Sequence, residues 1–222
     1  MGTKKVAVIL CGSGYRDGSE IRESVATLWA LSQNGATAQC YAPDAPQRDV
    51  VNCLTGQTAS GETRNQLIEA ARIARAKVRP LKELDMKNYS AIIIPGGYGA
   101  AKNLCDFALK GSQGTVIPDM ERVLKQAHAD RKPIGAICIA PAIIALTFKG
   151  KGIELTTGVP GEASQEIEKL GHKHIACAAN GCHVDASFRV VTTPAYMYDD
   201  APLHEIFTGI QKCVGEVLKL AQ

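Results

Sequence analysis

Short apolar runs closed by glycine alternate along the chain with stretches whose apolar residues recur every three or four positions. KKVAVILC (4–11) is almost continuously apolar and predicts a strand buried on both faces. DGSEIRESVATLWALSQNG (17–35) predicts a helix opened by an Asp17–Glu20 capping box and stopped by Gly35, with Ile21, Val25 and Leu28 as its inward stripe. TAQCYA (37–42) predicts a second strand, and GETRNQLIEAARIARA (61–76) a helix with Leu67, Ile68, Ala71, Ile73 and Ala74 facing inward. SAIIIPGG (90–97) predicts a central strand ending in a glycine turn. A helix over 118–132 leads into strand PIGAIC and helix IAPAIIALTF. Strands near 152–158, at HIACA and at FRVVTTP surround a short helix at ASQEIEKLG, and a last helix runs through HEIFTGIQKCVGEVLKLA.

Strand–helix alternation with near-continuous apolar strands predicts a mostly parallel sheet covered on both sides. The expected architecture is α/β and doubly wound, one domain over residues 1–222. Ligands of such sheets gather at the carboxyl ends of the strands. Three turns converge there: CGSG after the first strand, PGGYG after SAIIIP, and the turn at Cys138.

Composition narrows the function classes. With 45% hydrophobic and 21% charged residues, disorder, collagen and coiled coil are excluded as overall descriptions. The net charge is +3 and no basic run stands out beyond Lys4-Lys5, so a nucleic-acid partner has no footprint. No segment approaches the roughly 18 apolar residues of a membrane span. The apolar run 6–11 is shorter than a secretory core of roughly 7–15 residues and reads as a strand. A cytoplasmic protein is expected, with mitochondrial import left open. The 8 cysteines lie mostly singly in apolar runs and are expected to be reduced.

The candidate chemistry centres on Cys138. Ala136 and Ala140 stand at its second neighbours, as the strained turn of a nucleophile elbow requires, and the following helix start favours a thiolate. An inert cysteine packed between strand and helix fits the same pattern. Pro95-Gly96-Gly97-Tyr98-Gly99 offers free backbone N–H groups for an oxyanion, or simply a tight connection. Gly12-Ser13-Gly14 fails the dinucleotide fingerprint, because Asp17 stands where the third glycine belongs, and no nucleotide cofactor is expected. Glu20 has a capping role, and spacing alone makes Glu23 a solvated residue. His172, His174, Cys177, Cys182 and His183 form the densest set of metal-ligand types, but their spacing matches no familiar zinc site and no metal is expected.

DGSEIRES, ETRNQLIEAARIAR, PGGYGAAKNL, GAICIAPA and VVTTPAYM together resemble the ElbB-like ("enhancing lycopene biosynthesis") proteins of the ThiJ/PfpI superfamily, within the class I glutamine amidotransferase-like fold. The resemblance spans essentially the whole chain. It implies a flavodoxin-like sandwich, a homodimer, a reactive Cys138 and a Glu23 that shares the thiol's proton. It also implies an oxyanion hole from the backbone N–H groups of Gly97 and Ile139, with Glu20 and Gly96 as secondary site residues. Two departures shape the expected chemistry. Ile139 follows the cysteine where protease-like members carry histidine, and Leu155-Thr156-Thr157-Gly158 lacks the histidine that other members place after Thr-Thr. His183 matches no catalytic position of the family. Amide hydrolysis therefore lacks its proton donor. The expected activity is a cofactor-free, glutathione-independent glyoxalase turning glyoxal or methylglyoxal into a 2-hydroxy acid. The alternative is a non-catalytic redox-sensing or binding protein whose Cys138 is oxidised.

Overall fold

The computed structural model describes residues 3–221, so Met1, Gly2 and Gln222 of the expected 1–222 domain lie outside it. Among the described residues nine strands form: β1 (Lys5–Ile9), β2 (Thr37–Ala42), β3 (Val78–Pro80), β4 (Ala91–Ile94), β5 (Ile134–Ile137), β6 (Glu154–Leu155), β7 (Lys173–His174), β8 (His183–Asp185) and β9 (Val190–Thr193). Seven helices accompany them: α1 (Ile21–Gln33), α2 (Gln66–Ala74), α3 (Phe107–Lys110), α4 (Pro118–Ala129), α5 (Pro141–Thr147), α6 (Glu162–Lys169) and α7 (Leu203–Leu220).

The main sheet has the order β3-β2-β1-β4-β5-β9-β8 and is parallel except for β8, which pairs antiparallel to β9. β6 and β7 make a separate parallel pair. Every residue of β4, β5 and β9 is buried, because both faces of the sheet are covered. Alternate residues feed two cores. Ala7, Ile9, Ile92, Ile94 and Ala136 pack with α4, α5 and α6, while Val6, Val8, Ile93, Ile137 and Val191 pack with α1, α2 and α7. This is the doubly wound, flavodoxin-like architecture that the alternation of elements predicts.

The differences from expectation are local. α1 begins at Ile21, and Glu20, not Asp17, is its N-cap: Glu20 Oε2 accepts from the Glu23 N–H at 2.6 Å. Asp17 is buried and accepts from the Val51 N–H instead. The inward face of α1 is Glu23, Ser24, Ala26, Thr27, Ala30 and Leu31, which leaves Ile21 and Val25 outside. α2 starts at Gln66, after an Asn65 cap that accepts from the Leu67 and Ile68 N–H groups. It buries Gln66, Glu69, Ala70 and Ala74, while Ile68 is exposed.

In a doubly wound sheet the crevice opens where the strand order reverses, here between β1 and β4. The loop leading into α1, the turn after β4 and the turn after β5 meet at that point.

Candidate active site

Cys138 follows β5 with φ of 62°, a left-handed conformation that costs a non-glycine residue of order 1–3 kcal/mol. Its N–H donates to Thr193 O at 2.9 Å, which ties the turn to the end of β9. Ala136 and Ala140 are both fully buried, so the small neighbours leave room for the sharp reversal. The thiol sits at the floor of a cleft of about 770 Å³ lined among others by Tyr15, Glu20, Gly97, Tyr98, Ile139 and Tyr196.

Glu23, set by spacing on a solvated face, is in fact completely buried and meets the thiol. Its Oε2 accepts from the Gly96 N–H at 2.8 Å and its Oε1 from the Tyr196 N–H at 3.3 Å. A Cβ on Gly96 would lie 2.6 Å from Cys138 Cβ and 2.8 Å from Glu23 Oε2, so glycine is what lets thiol and carboxyl close across the turn. The backbone N–H groups of Gly97 and Ile139 lie near the Cys138 sulfur and favour its charged form, while the Ile139 side chain is half-buried and packs. Glu20 lines the cleft beside them but spends its carboxylate on the helix cap.

The electrostatics run against the depressed thiol expected of the turn. Burial, then the charge of Glu23, pushes the Cys138 thiol well above its ordinary range, and the Gly97 and Ile139 N–H groups offset this only in part. Burial, followed by the charge of Glu20, raises Glu23 to about 8. A carboxyl that keeps its proton does not repel a thiolate; it can donate a hydrogen bond to one. Cys138 and Glu23 therefore titrate as a unit, and the first proton lost belongs to the pair.

The glycine turn is held backbone against backbone. Tyr98 N–H donates to Tyr15 O and Gly99 N–H to Gly18 O. A Cβ on Gly99 would fall 2.4 Å from Gly18 Cα, and one on Gly97 2.5 Å from Glu20 N. The rim on the other side, including Val159, Pro160, Gly161 and Ala163, is looser: a Cβ on Gly161 would meet nothing within 4 Å.

Among the described residues no histidine lines the cleft. His172 is buried, with Nδ1 accepting from the Ile153 N–H and Nε2 beside Ala145 O. His174 accepts from the Thr157 N–H, and His183 sits 3.0 Å from Glu154. Among the described residues no three His, Cys, Asp or Glu side chains gather as metal ligands, and no helix is long and apolar enough to cross a membrane. The Tyr196 backbone contact to Glu23 was not legible from sequence, since it joins positions that only the fold brings together.

A sheet of this order, with a cysteine on the strained turn after its fifth strand, defines a class I glutamine amidotransferase-like protein. No family model matches the chain. It is 44% identical over 225 residues to human "Glutamine amidotransferase-like class 1 domain-containing protein 3, mitochondrial", covering 97% of this chain and 83% of that protein. A crystal structure of an isoprenoid biosynthesis protein with amidotransferase-like domain from Ehrlichia chaffeensis superposes with a TM-score of 0.91 at 31% identity, covering 99% and 100% of the two chains. The chain therefore belongs to the ElbB-like family of class I glutamine amidotransferase-like proteins. Candida albicans glyoxalase III shares the fold, with a TM-score of 0.64 at 14% identity over 98% of this chain and 97% of that one. The human relative's name places that protein in mitochondria, and the comparisons lend the cytoplasmic expectation no support.

Proposed function

We propose that this protein is a glutathione-independent glyoxalase whose nucleophile is Cys138. The observation that carries the reading is the buried Glu23 carboxyl against the Cys138 sulfur at the floor of an open cleft. The thiol adds to the aldehyde carbon of glyoxal or methylglyoxal, and the thiol proton passes through Glu23. The oxyanion so formed takes the N–H groups of Gly97 and Ile139, preorganised donors of the kind worth about 10²–10³ in rate per group. Glu23 hands the thiol proton to the neighbouring carbonyl oxygen, takes the proton from the former aldehyde carbon and returns it to the neighbouring carbon, which leaves a thioester of the 2-hydroxy acid and the free carboxylate. Water cleaves the carbon–sulfur bond and restores the thiol. The sum is dicarbonyl plus water, with no external oxidant, reductant or cofactor. The absence of histidine from the cleft lining argues against amide hydrolysis, whose amine leaving group needs a proton.

Incubated with methylglyoxal, the protein is expected to release lactate, and Cys138→Ser to release none while keeping its fold by circular dichroism. Lactate formation by that variant at the wild-type rate would sink the reading. A second reading rests on the same carboxyl: a protonated Glu23 would hydrogen-bond an oxidised Cys138 sulfur. Selective oxidation of Cys138 by peroxide, without dicarbonyl turnover, would favour it.

The chain acts on this reading as a homodimer. Ile21, Val25 and Trp29 stand one turn apart on the outer face of α1 and are 46%, 46% and 47% exposed, an apolar stripe suited to an isologous contact with a second copy.

A further inference from the structure

The stretch that joins β7 to β8 carries two thiols outside the cleft. Ala178 to Gly181 form a tight turn closed by the Gly181 N–H donating to Ala178 O at 2.9 Å. Such a turn brings its end residues within about 7 Å of each other, and one further residue flanks it on either side. Those residues are Cys177 and Cys182, both free and half-buried. The Cys177 sulfur folds back over the turn: a Cβ on Gly181, the residue next to Cys182, would lie 2.7 Å from it. We propose that Cys177 and Cys182 form a reversible disulfide across this turn.

A disulfide needs a Cα separation of about 4.4–6.8 Å, and the Cys177 sulfur already lies against the residue that precedes Cys182. The co-reactant is a small-molecule disulfide such as oxidised glutathione. The Cys177 thiolate attacks one of its sulfurs and a thiolate leaves; the Cys182 thiolate then attacks the Cys177 sulfur and expels the second. Two protein thiols lose two electrons and two protons, and one small disulfide becomes two thiols. Burial raises both groups, Cys182 to about 11, where the charges of Glu216 and Cys177 add to it. Exchange is therefore slow near neutrality.

The link would act on well-anchored surroundings. Cys177 O accepts the Tyr198 hydroxyl at 2.8 Å, and Gly181 O accepts the Thr193 hydroxyl at 2.7 Å. Oxidation would thus brace the carboxyl end of β9, which also holds the Cys138 N–H.

The test equilibrates the full chain, as Cys138→Ser to silence the cleft thiol, in glutathione buffers of rising oxidised fraction, followed by acid trapping, alkylation and peptide mass mapping. The expected product lacks the mass of two hydrogens within the tryptic peptide 174–189. Cys182→Ser in the same background should instead carry glutathione on Cys177, at an occupancy about tenfold or more above that of the parent, because the intramolecular partner is gone. Exposed Cys53 reports that the reagent works. Glutathione on Cys177 or Cys182 of the parent with no internal link, a link from either to buried Cys213, or an unmodified loop while Cys53 reacts would each overturn the proposal.

Discussion

Glu23 shows how far surroundings outweigh spacing. On a helical wheel it lies opposite Ile21, Val25 and Leu28, the stripe that looks like the buried one. In the fold Ile21 and Val25 of that stripe turn outward, because α1 starts over the glycine turn and the thiol, where polar side chains find backbone N–H partners. Burying the carboxyl has a measurable consequence. Glu23 rises from an ordinary 4.5 to about 8, so between those values the folded chain keeps a proton that the unfolded chain has lost. The stability this contributes is present in full below the unfolded value and drains away as pH rises through the folded one, at about 1.4 kcal/mol per pH unit. Glu23→Gln removes that slope. In urea titrations the variant should gain on the parent from pH 5 to pH 8, and parallel profiles would mean that Glu23 ionises as an ordinary carboxyl. The strained turn at Cys138 was readable because its small neighbours are local. Glu23, and the Gly97 and Ile139 N–H groups as donors, were named only through a family resemblance.

Among the elements, those with strong periodicity were the most legible. α4 and α7 fall where their apolar spacing places them, and β2 matches residue for residue. β3 and β8 were missed as strands because three residues, with Arg79 and Pro80 in one and Asp185 in the other, carry no apolar run to see. In α2 the expected stripe holds at Ala74 and, partly buried, at Leu67 and Ile73, but Gln66 and Glu69 are also turned inward while Ile68 is left to solvent. α7 is the element on which the second core rests, with Ile206, Ile210, Val214 and Val217 all fully buried. Ile210→Ala should lower the unfolding free energy by about 2–5 kcal/mol in denaturant titration, with turnover per folded molecule unchanged. A loss below about 1 kcal/mol would mean that the site collapses onto the smaller residue far better than such cores usually do.

For the molecule as a whole, the misread stripe of α1 becomes a matter of assembly. Trp29 is large, aromatic and half-exposed, the kind of residue enriched at the centre of interfaces. Trp29→Lys should shift the mass measured by light scattering from dimer to monomer at micromolar concentration while leaving the circular dichroism spectrum unchanged. A parent that is already monomeric would remove the homodimer from the proposed function. Because Glu20 and Glu23 open the same helix, the contact would sit directly behind the cleft, and a monomeric variant would also report whether turnover needs the pair.

The two rims of the cleft have unequal futures. Around Gly18, Gly97 and Gly99 there is no space for even a methyl group, so substitution there breaks the fold before it reshapes the opening. Across from it, Gly161 faces open space and Val159 reaches into solvent. A library built to widen or narrow the range of accepted aldehydes would find its survivors on that second rim, and descendants with new preferences would differ from one another on one bank only.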